Sequence, residues 1–335
     1  MAEKDPHQRS WFDRARTLRD QSGPLESALW GIGFIGLVLL FWHILTMGDV
    51  PEERILSPTK LPSLGETLRS FPELWYERGL SRGILWSLSR VLGGFLLAAS
   101  IAVPLGILAG CFPRLNAFLR PFSVFGRSVP VAALIGLMLV WFGSDEEYKI
   151  MFIFCATIAF IFFDATHSVE NVSSRFVDTA QTLGAKVSRK TGVKRALIFA
   201  FVYAFIIVTA GSMMIQTSWS DPFTWGISAV GAAVGFILWY PIQSHQVLQK
   251  VLVPLALPSI VNSLRLLFGI AFGYVMLAEM ISAKYGLGYI INNSQRRGKI
   301  EHIFLVLIII ALVAFTIDRC IYWCQKRWFP YKEFP

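Results

Sequence analysis

Charge is scarce in this chain. Asp, Glu, Lys and Arg make up 16% of its 335 residues, against about a quarter in ordinary soluble domains. The shortage is uneven: several stretches of about 20 residues hold almost no charged side chain, the length a helix needs to cross a ~30 Å hydrocarbon layer. A water-solvated globule is therefore excluded as the description of most of the chain. Cysteine is also sparse. Cys111, Cys155, Cys320 and Cys324 form no Cys-x-x-Cys pair and have no neighbouring set of histidines, which argues against a redox dithiol or a metal site. Three further absences bear on chemistry. There is no Gly-x-x-x-x-Gly-Lys-Ser/Thr loop to cradle a nucleotide phosphate, no Gly-x-Ser-x-Gly nucleophile elbow and no His-Glu-x-x-His zinc pair. With no paired carboxylates inside the apolar runs either, a membrane hydrolase has no visible machinery, and no cofactor is expected.

What is present is apolar sequence in long blocks, 54% of the chain. Eight runs read as membrane spans: 28–47, 91–108, 124–142, 148–166, 196–214, 223–240, 259–281 and 302–321. The third contains Arg127 and Pro130, so its arginine is expected to snorkel and its proline to kink the helix. The second carries Gly106-x-x-x-Gly110, a spacing that permits close helix approach. The fifth and sixth runs are parted only by a short turn and read as a hairpin. The connection after the first span is mixed in charge, with helical stretches such as Leu64–Arg69.

The net charge of +9 would suit a nucleic-acid binder, but the Lys and Arg residues sit in the tails and connections between apolar runs. Topogenesis and anionic lipid account for that placement, and no nucleic-acid partner is expected. Five basic residues precede the first run and six lie within 169–195. By the positive-inside rule both termini are expected on the cytoplasmic side.

The segment after the fourth span carries the most information: Asp178-Thr179-Ala180-Gln181-Thr182-Leu183-Gly184-Ala185. It resembles the Glu-Ala-Ala-x-x-x-Gly signature of the permease subunits of bacterial ATP-binding-cassette importers. In that family an Ile-x-Leu-Pro element follows nine residues after the Gly, and Val251-Leu252-Val253-Pro254 is similar to it. Leu257-Pro258-Ser259-Ile260, Ala278-Glu279-Met280 and Tyr285-Gly286-Leu287-Gly288-Tyr289-Ile290 resemble the nitrate, sulfonate, taurine and bicarbonate subfamily. So do Arg90-Val91-Leu92-Gly93-Gly94-Phe95, Leu119-Arg120-Pro121 and Trp141-Phe142-Gly143 upstream. Independently of the name, a short helix ended by a glycine that tolerates positive φ can project from a membrane domain and dock in a groove of a soluble partner.

The resemblance implies an all-α polytopic membrane bundle in the bacterial inner membrane, and a non-enzymatic permease that forms the pathway for a small solute. It implies ATP-binding-cassette ATPase subunits, a second permease copy and an external substrate-binding protein as partners, with membrane lipid around them. Asp178, Thr179, Ala180, Gly184, Val251 and Pro254 are the expected ATPase-coupling residues. Glu279 and Arg265 are candidate pathway or gate residues, with Arg90 a further cation for an anion route. Two departures stand out. Asp-Thr-Ala replaces Glu-Ala-Ala, placing a β-branched residue in the first turn, and 66 residues rather than nine separate Gly184 from Val251. The excess holds the hairpin. The expected organisation is therefore a tail over 1–27, a permease core over 28–186, an inserted two-span hairpin over 187–245 and the rest of a six-span core over 246–335. A standalone secondary transporter is the competing class, and it would run on an ion gradient with no ATPase.

Overall fold

A computed structural model of the chain describes residues 23–48, 54–185, 193, 196–198, 200–205 and 222–331. Helix is the only regular secondary structure among them. Lipid dictates this outcome, because a backbone without water must satisfy its own hydrogen bonds.

The chain divides into two units, 1–70 and 71–335. In the first, α1 (Pro24–Leu45) starts on a proline whose missing N–H costs nothing at that position. It is exposed along nearly its whole length, as suits an apolar helix whose solvent is lipid. The expected helix α2 (Leu64–Arg69) opens with a capping box. Glu66 N–H donates to Ser63 Oγ at 3.2 Å and Ser63 N–H to Glu66 Oε2 at 2.8 Å. Arg54 grips the same carboxylate with both terminal nitrogens at 3.2 and 3.0 Å. The guanidinium and the Ser63 N–H together hold the Glu66 carboxyl at about 2.

In the second unit the core is built on α3 (Leu80–Cys111) and α6 (Glu146–Glu170). α3 starts eleven residues before the apolar run beginning at 91, because the amphipathic turns ahead of it are helical too. Along one stripe of α3 every fourth residue is small: Gly94, Ala98, Ala102, Gly106 and Gly110. A Cβ at Gly106 would lie 2.6 Å from Ala165 Cβ and 2.8 Å from Phe162 O, and one at Gly110 only 2.8 Å from Thr166 O. The glycine pair therefore does have a partner, the backbone of α6. Gly106→Leu should force these helices apart at a cost of about 1–3 kcal/mol or more, read as a lowered unfolding temperature in detergent; an unchanged temperature would mean that the contact is looser than described.

The third span is broken rather than kinked. α4 (Pro113–Ser128) and the following helical segment, a 3₁₀ turn at Val131–Ala133 leading into α5 (Leu134–Phe142), meet at 83°. Pro130 is the cause. A proline disfavours helical backbone in the residue before it, and Val129 is extended at φ −74°, ψ 126°.

α7 (Ser174–Thr182) follows α6, and α8 (Pro222–Ser244) falls on the expected second arm of the hairpin, where the apolar helix Ser228–Gln243 is shorter than the spanning helices. Beyond it come a π-helical turn at Leu248–Leu252, α9 (Val253–Ser282), α10 (Leu287–Arg296) and α11 (Ile300–Trp328). Among the described residues five helices, α1, α3, α6, α9 and α11, are long and apolar enough to span, and the bent α4–α5 pair makes a sixth. These are the six spans expected of the core. The hairpin's first arm, expected over 196–214, runs into residues outside those described. Among the described residues of this region, Tyr203, Leu238 and Ile242 share a buried apolar cluster with Ile107, Ala165, Val169 and Ile260.

Candidate functional site

Two regions at opposite ends of α6 concentrate polar chemistry. At its N-terminal end Arg90 of α3 is 2% exposed and occupies every face of its guanidinium. Nε and Nη2 donate to the two oxygens of Glu146 at 2.5 and 2.8 Å, while Nη1 donates to Glu279 Oε1 at 2.6 Å and to Tyr285 O at 2.7 Å. Lys149 also donates to Glu146, at 2.9 Å. Two cations thus face two carboxylates, the balance a low-dielectric interior requires.

Glu279, 1% exposed near the end of α9, uses its second oxygen to accept from Ser87 Oγ at 2.8 Å and from Gly288 N–H at 2.9 Å. Ser87 Oγ in turn accepts from Leu287 N–H at 2.9 Å. The first turn of α10 has backbone donors with no partner inside the helix, and a carboxylate at a helix N-terminus is favoured by the dipole as well. Gly286 makes the approach possible. Its φ is +131°, and a Cβ there would meet Glu279 Oε2 at 2.4 Å and Arg90 Nη1 at 2.7 Å. Sequence reasoning had Glu279 and the Tyr-Gly-Leu-Gly-Tyr segment but not the clamp joining them to Ser87, Arg90 and Glu146. A buried acid at the end of an apolar run calls for a cation, and that signal could have selected Arg90. Arg90 is consequently not a free cation for an anion route. Arg265 is paired too, with Asp318 of α11 at 3.0 Å, and its guanidinium lies 5.2 Å from the Tyr322 ring centre.

At the other end of α6 lies α7, which has no buried residue and therefore shows Asp178, Thr179 and Ala180 on its surface. The β-branched Thr179 is accommodated by donating its hydroxyl to Arg175 O at 2.7 Å. The helix closes on Gly184 at φ +81°, with Gly184 N–H bonded to Gln181 O and Ala185 N–H to Ala180 O. That is the left-handed stop glycine permits. Leu183 is 82% exposed and Phe176 half exposed, which leaves apolar side chains uncovered among the described residues.

Val251 sits in the π-helical turn that lies against α7, so residues far apart in sequence come together here. Pro254, in the first turn of α9, would ordinarily have its carbonyl bonded by the N–H four residues on, but that residue is Pro258. Tyr331 Oη supplies the missing donor at 2.6 Å, and Gln325 Nε2 donates to Pro258 O at 2.9 Å.

The model of the binding-protein-dependent transport system inner membrane component matches residues 102–190 and 242–329. The chain belongs to that family. The membrane component of a transport system is a permease and not an enzyme, and the match covers α4 to α7 and α9 to α11 while omitting 191–241. Relatives are similar over nearly their whole length. The taurine transport system permease of Escherichia coli K12 is 24% identical over 90% of this chain and 88% of its own. A Bacillus subtilis permease assigned to aliphatic sulfonates is 24% identical over 82% and 78%, and the bicarbonate transport system permease of Synechococcus elongatus is 24% identical over 88% and 87%. Among solved structures, the inward-facing MetNI methionine ABC transporter is similar with a TM-score of 0.48 at 16% identity, covering 75% of this chain and 97% of that one.

Proposed function

We propose that this permease imports a small solute bearing an oxyanion group, such as a sulfonate or bicarbonate, and that α7 couples it to ATPase subunits carried on separate chains. The observation that carries the proposal is α7 itself: an exposed helix with apolar Phe176 and Leu183 outward, stopped by a positive-φ glycine, and backed by the turn that holds Val251. In this reading Asp178, Thr179, Ala180 and Gly184 form the docking knob, while Val251 and Pro254 fix its base to α9. Motion of α7 then reaches the far end through α6 and α9, whose opposite ends are tied by Glu146, Arg90 and Glu279. Glu279 and Arg265 would serve the gate by holding helices in register and not by lining water.

The remaining parts follow from the same reading. A second copy of the chain completes the pathway, an external binding protein delivers the solute, and lipid surrounds α1 and the outer faces. Both termini and α7 lie on the cytoplasmic side, as the basic residues around 169–195 favour. The region 187–245 is an insertion into the coupling loop: removing 188–244 would restore nine residues between Gly184 and Val251, and the break in the family match supports this. The relatives' names support the solute class.

Purified alone, the chain should hydrolyse no ATP. Reconstituted with its ATPase and binding protein, it should take up taurine or another small oxyanion only when ATP is inside the ATPase-facing compartment. Uptake driven by an ion gradient without ATPase would favour the secondary-transporter reading instead.

A further inference from the structure

On the α7 side of the molecule a cleft of about 360 Å³ opens between α4 and α6. Its cations are better presented than those of the clamp. Arg127 gives only its Nε away, to Ser123 O at 3.2 Å, and lies flat over Phe163 with 3.6 Å to the ring centre. Arg127, whose sequence position predicts a side chain reaching for headgroups, lines the cleft. Phe163 stacks in turn on His167, 5.9 Å away and nearly parallel. About two turns of α4 nearer its start, Arg120 lines the same cleft and has no charge partner among the described residues. One acid, Glu170, lines the cleft itself, held by neighbours that line it too. Glu170 accepts from Asn116 at 2.6 Å and lies 3.9 Å from His167, while Asp164, electrostatically coupled to Arg127 and His167, accepts from Ser263.

Ser123 supplies the second, independent observation. It is 5% exposed, it lines the cleft, and its buried hydroxyl has no hydrogen-bond partner. A buried hydroxyl without a partner is costly to maintain, and here it sits between two arginines whose planar forks suit an oxyanion.

We infer that the α4–α6 cleft is a binding site for a small oxyanion, held by Arg120 and Arg127 with Ser123 Oγ as a third donor. The inference rests on the permease reading and deepens it. A translocated anion leaving on the α7 side would meet this cleft, and the phosphate of an anionic lipid has the same chemistry. Both sources use one set of donors.

The test takes the full chain in phosphatidylcholine nanodiscs without ATPase and uses methanesulfonate as the probe, followed by saturation-transfer NMR on its methyl group. Saturable binding is expected for the wild type. Arg120→Gln/Arg127→Gln should weaken it about tenfold or more, the loss of two charged hydrogen bonds, and Ser123→Ala by less. Arg319→Gln, which removes an arginine lying over Phe315, should leave it unchanged. If the double variant is poorly folded, Arg120→Lys/Arg127→Lys keeps both charges and should retain part of the binding. In a parallel arm, phosphatidylglycerol retained through purification is counted by native mass spectrometry. More retained lipid in the wild type than in the double variant, without methanesulfonate binding, would assign the oxyanion site to lipid. No difference between wild type and double variant in either arm would overturn the site. Failure of the permease reading would show differently, as wild-type chain that supports no ATP-dependent uptake.

Discussion

Glu279→Ala should destabilise the folded protein by about 3–5 kcal/mol, the usual cost of removing one partner from a buried charge pair. The size of the effect follows from how many groups the carboxylate serves. Without it, Arg90 keeps Glu146 and the Tyr285 carbonyl but loses the carboxylate at Nη1, the Ser87 hydroxyl loses its acceptor, and the Gly288 N–H at the start of α10 is left bare. The buried position offers no water to replace them. Glu279→Gln should be milder, because the amide oxygen can still accept from Ser87 and Gly288, while the charge and the acceptor for Arg90 Nη1 are lost. Unfolding temperature in detergent, together with the yield of membrane-inserted protein, measures both. An alanine variant as stable as the wild type would remove the clamp from the account of this fold.

Gly184→Val is expected to separate folding from transport. Among the described residues no neighbouring atom lies within 4 Å of the position a Cβ would take, so a side chain meets no obstacle from them. The penalty is conformational. At φ +81° a side chain crowds its own backbone, costing about 1–2 kcal/mol for an ordinary residue and more for a β-branched one. The chain can relieve that strain by unwinding the end of α7, which has no buried residue to resist. Insertion and unfolding temperature should therefore stay near wild type while ATP-dependent uptake falls by about tenfold or more, the factor that 1–2 kcal/mol of misplaced docking implies. Gly184→Ala should fall between the two. Wild-type uptake in the valine variant would show that the positive-φ stop plays no part in coupling.

How far the sequence reaches can be seen element by element. Pro130 announced a disturbance in the third span, yet an 83° break rather than a gentle kink depends on what α4 and α5 pack against. The Gly106–Gly110 spacing pointed to close approach without naming a partner, since spacing records the width of a groove and not its occupant. At the start of α2, Ser63 and Glu66 form a capping box between residues only three apart, so local chemistry sufficed. The interaction between α7 and the Val251 turn crosses 66 intervening residues, and there only the motif's spacing in the resemblance hinted at contact.

By itself the sequence determined what an apolar solvent imposes locally: helices of spanning length, a disturbance at Pro130, the positive-φ stop at Gly184 and the basic connections between spans. Each follows from interactions within a few residues or from partition of a whole segment between water and lipid. The tertiary structure alone decided which polar groups are available. Arg90, Arg127 and Arg265 look alike in sequence, each an arginine in or beside an apolar run. Arg90 is consumed by Glu146 and Glu279, and Arg265 by Asp318, whereas Arg127 rests on Phe163 and lines a cleft. The physical reason is that a charge in a low-dielectric interior is defined by its partners, and those partners arrive from helices 50 to 190 residues away.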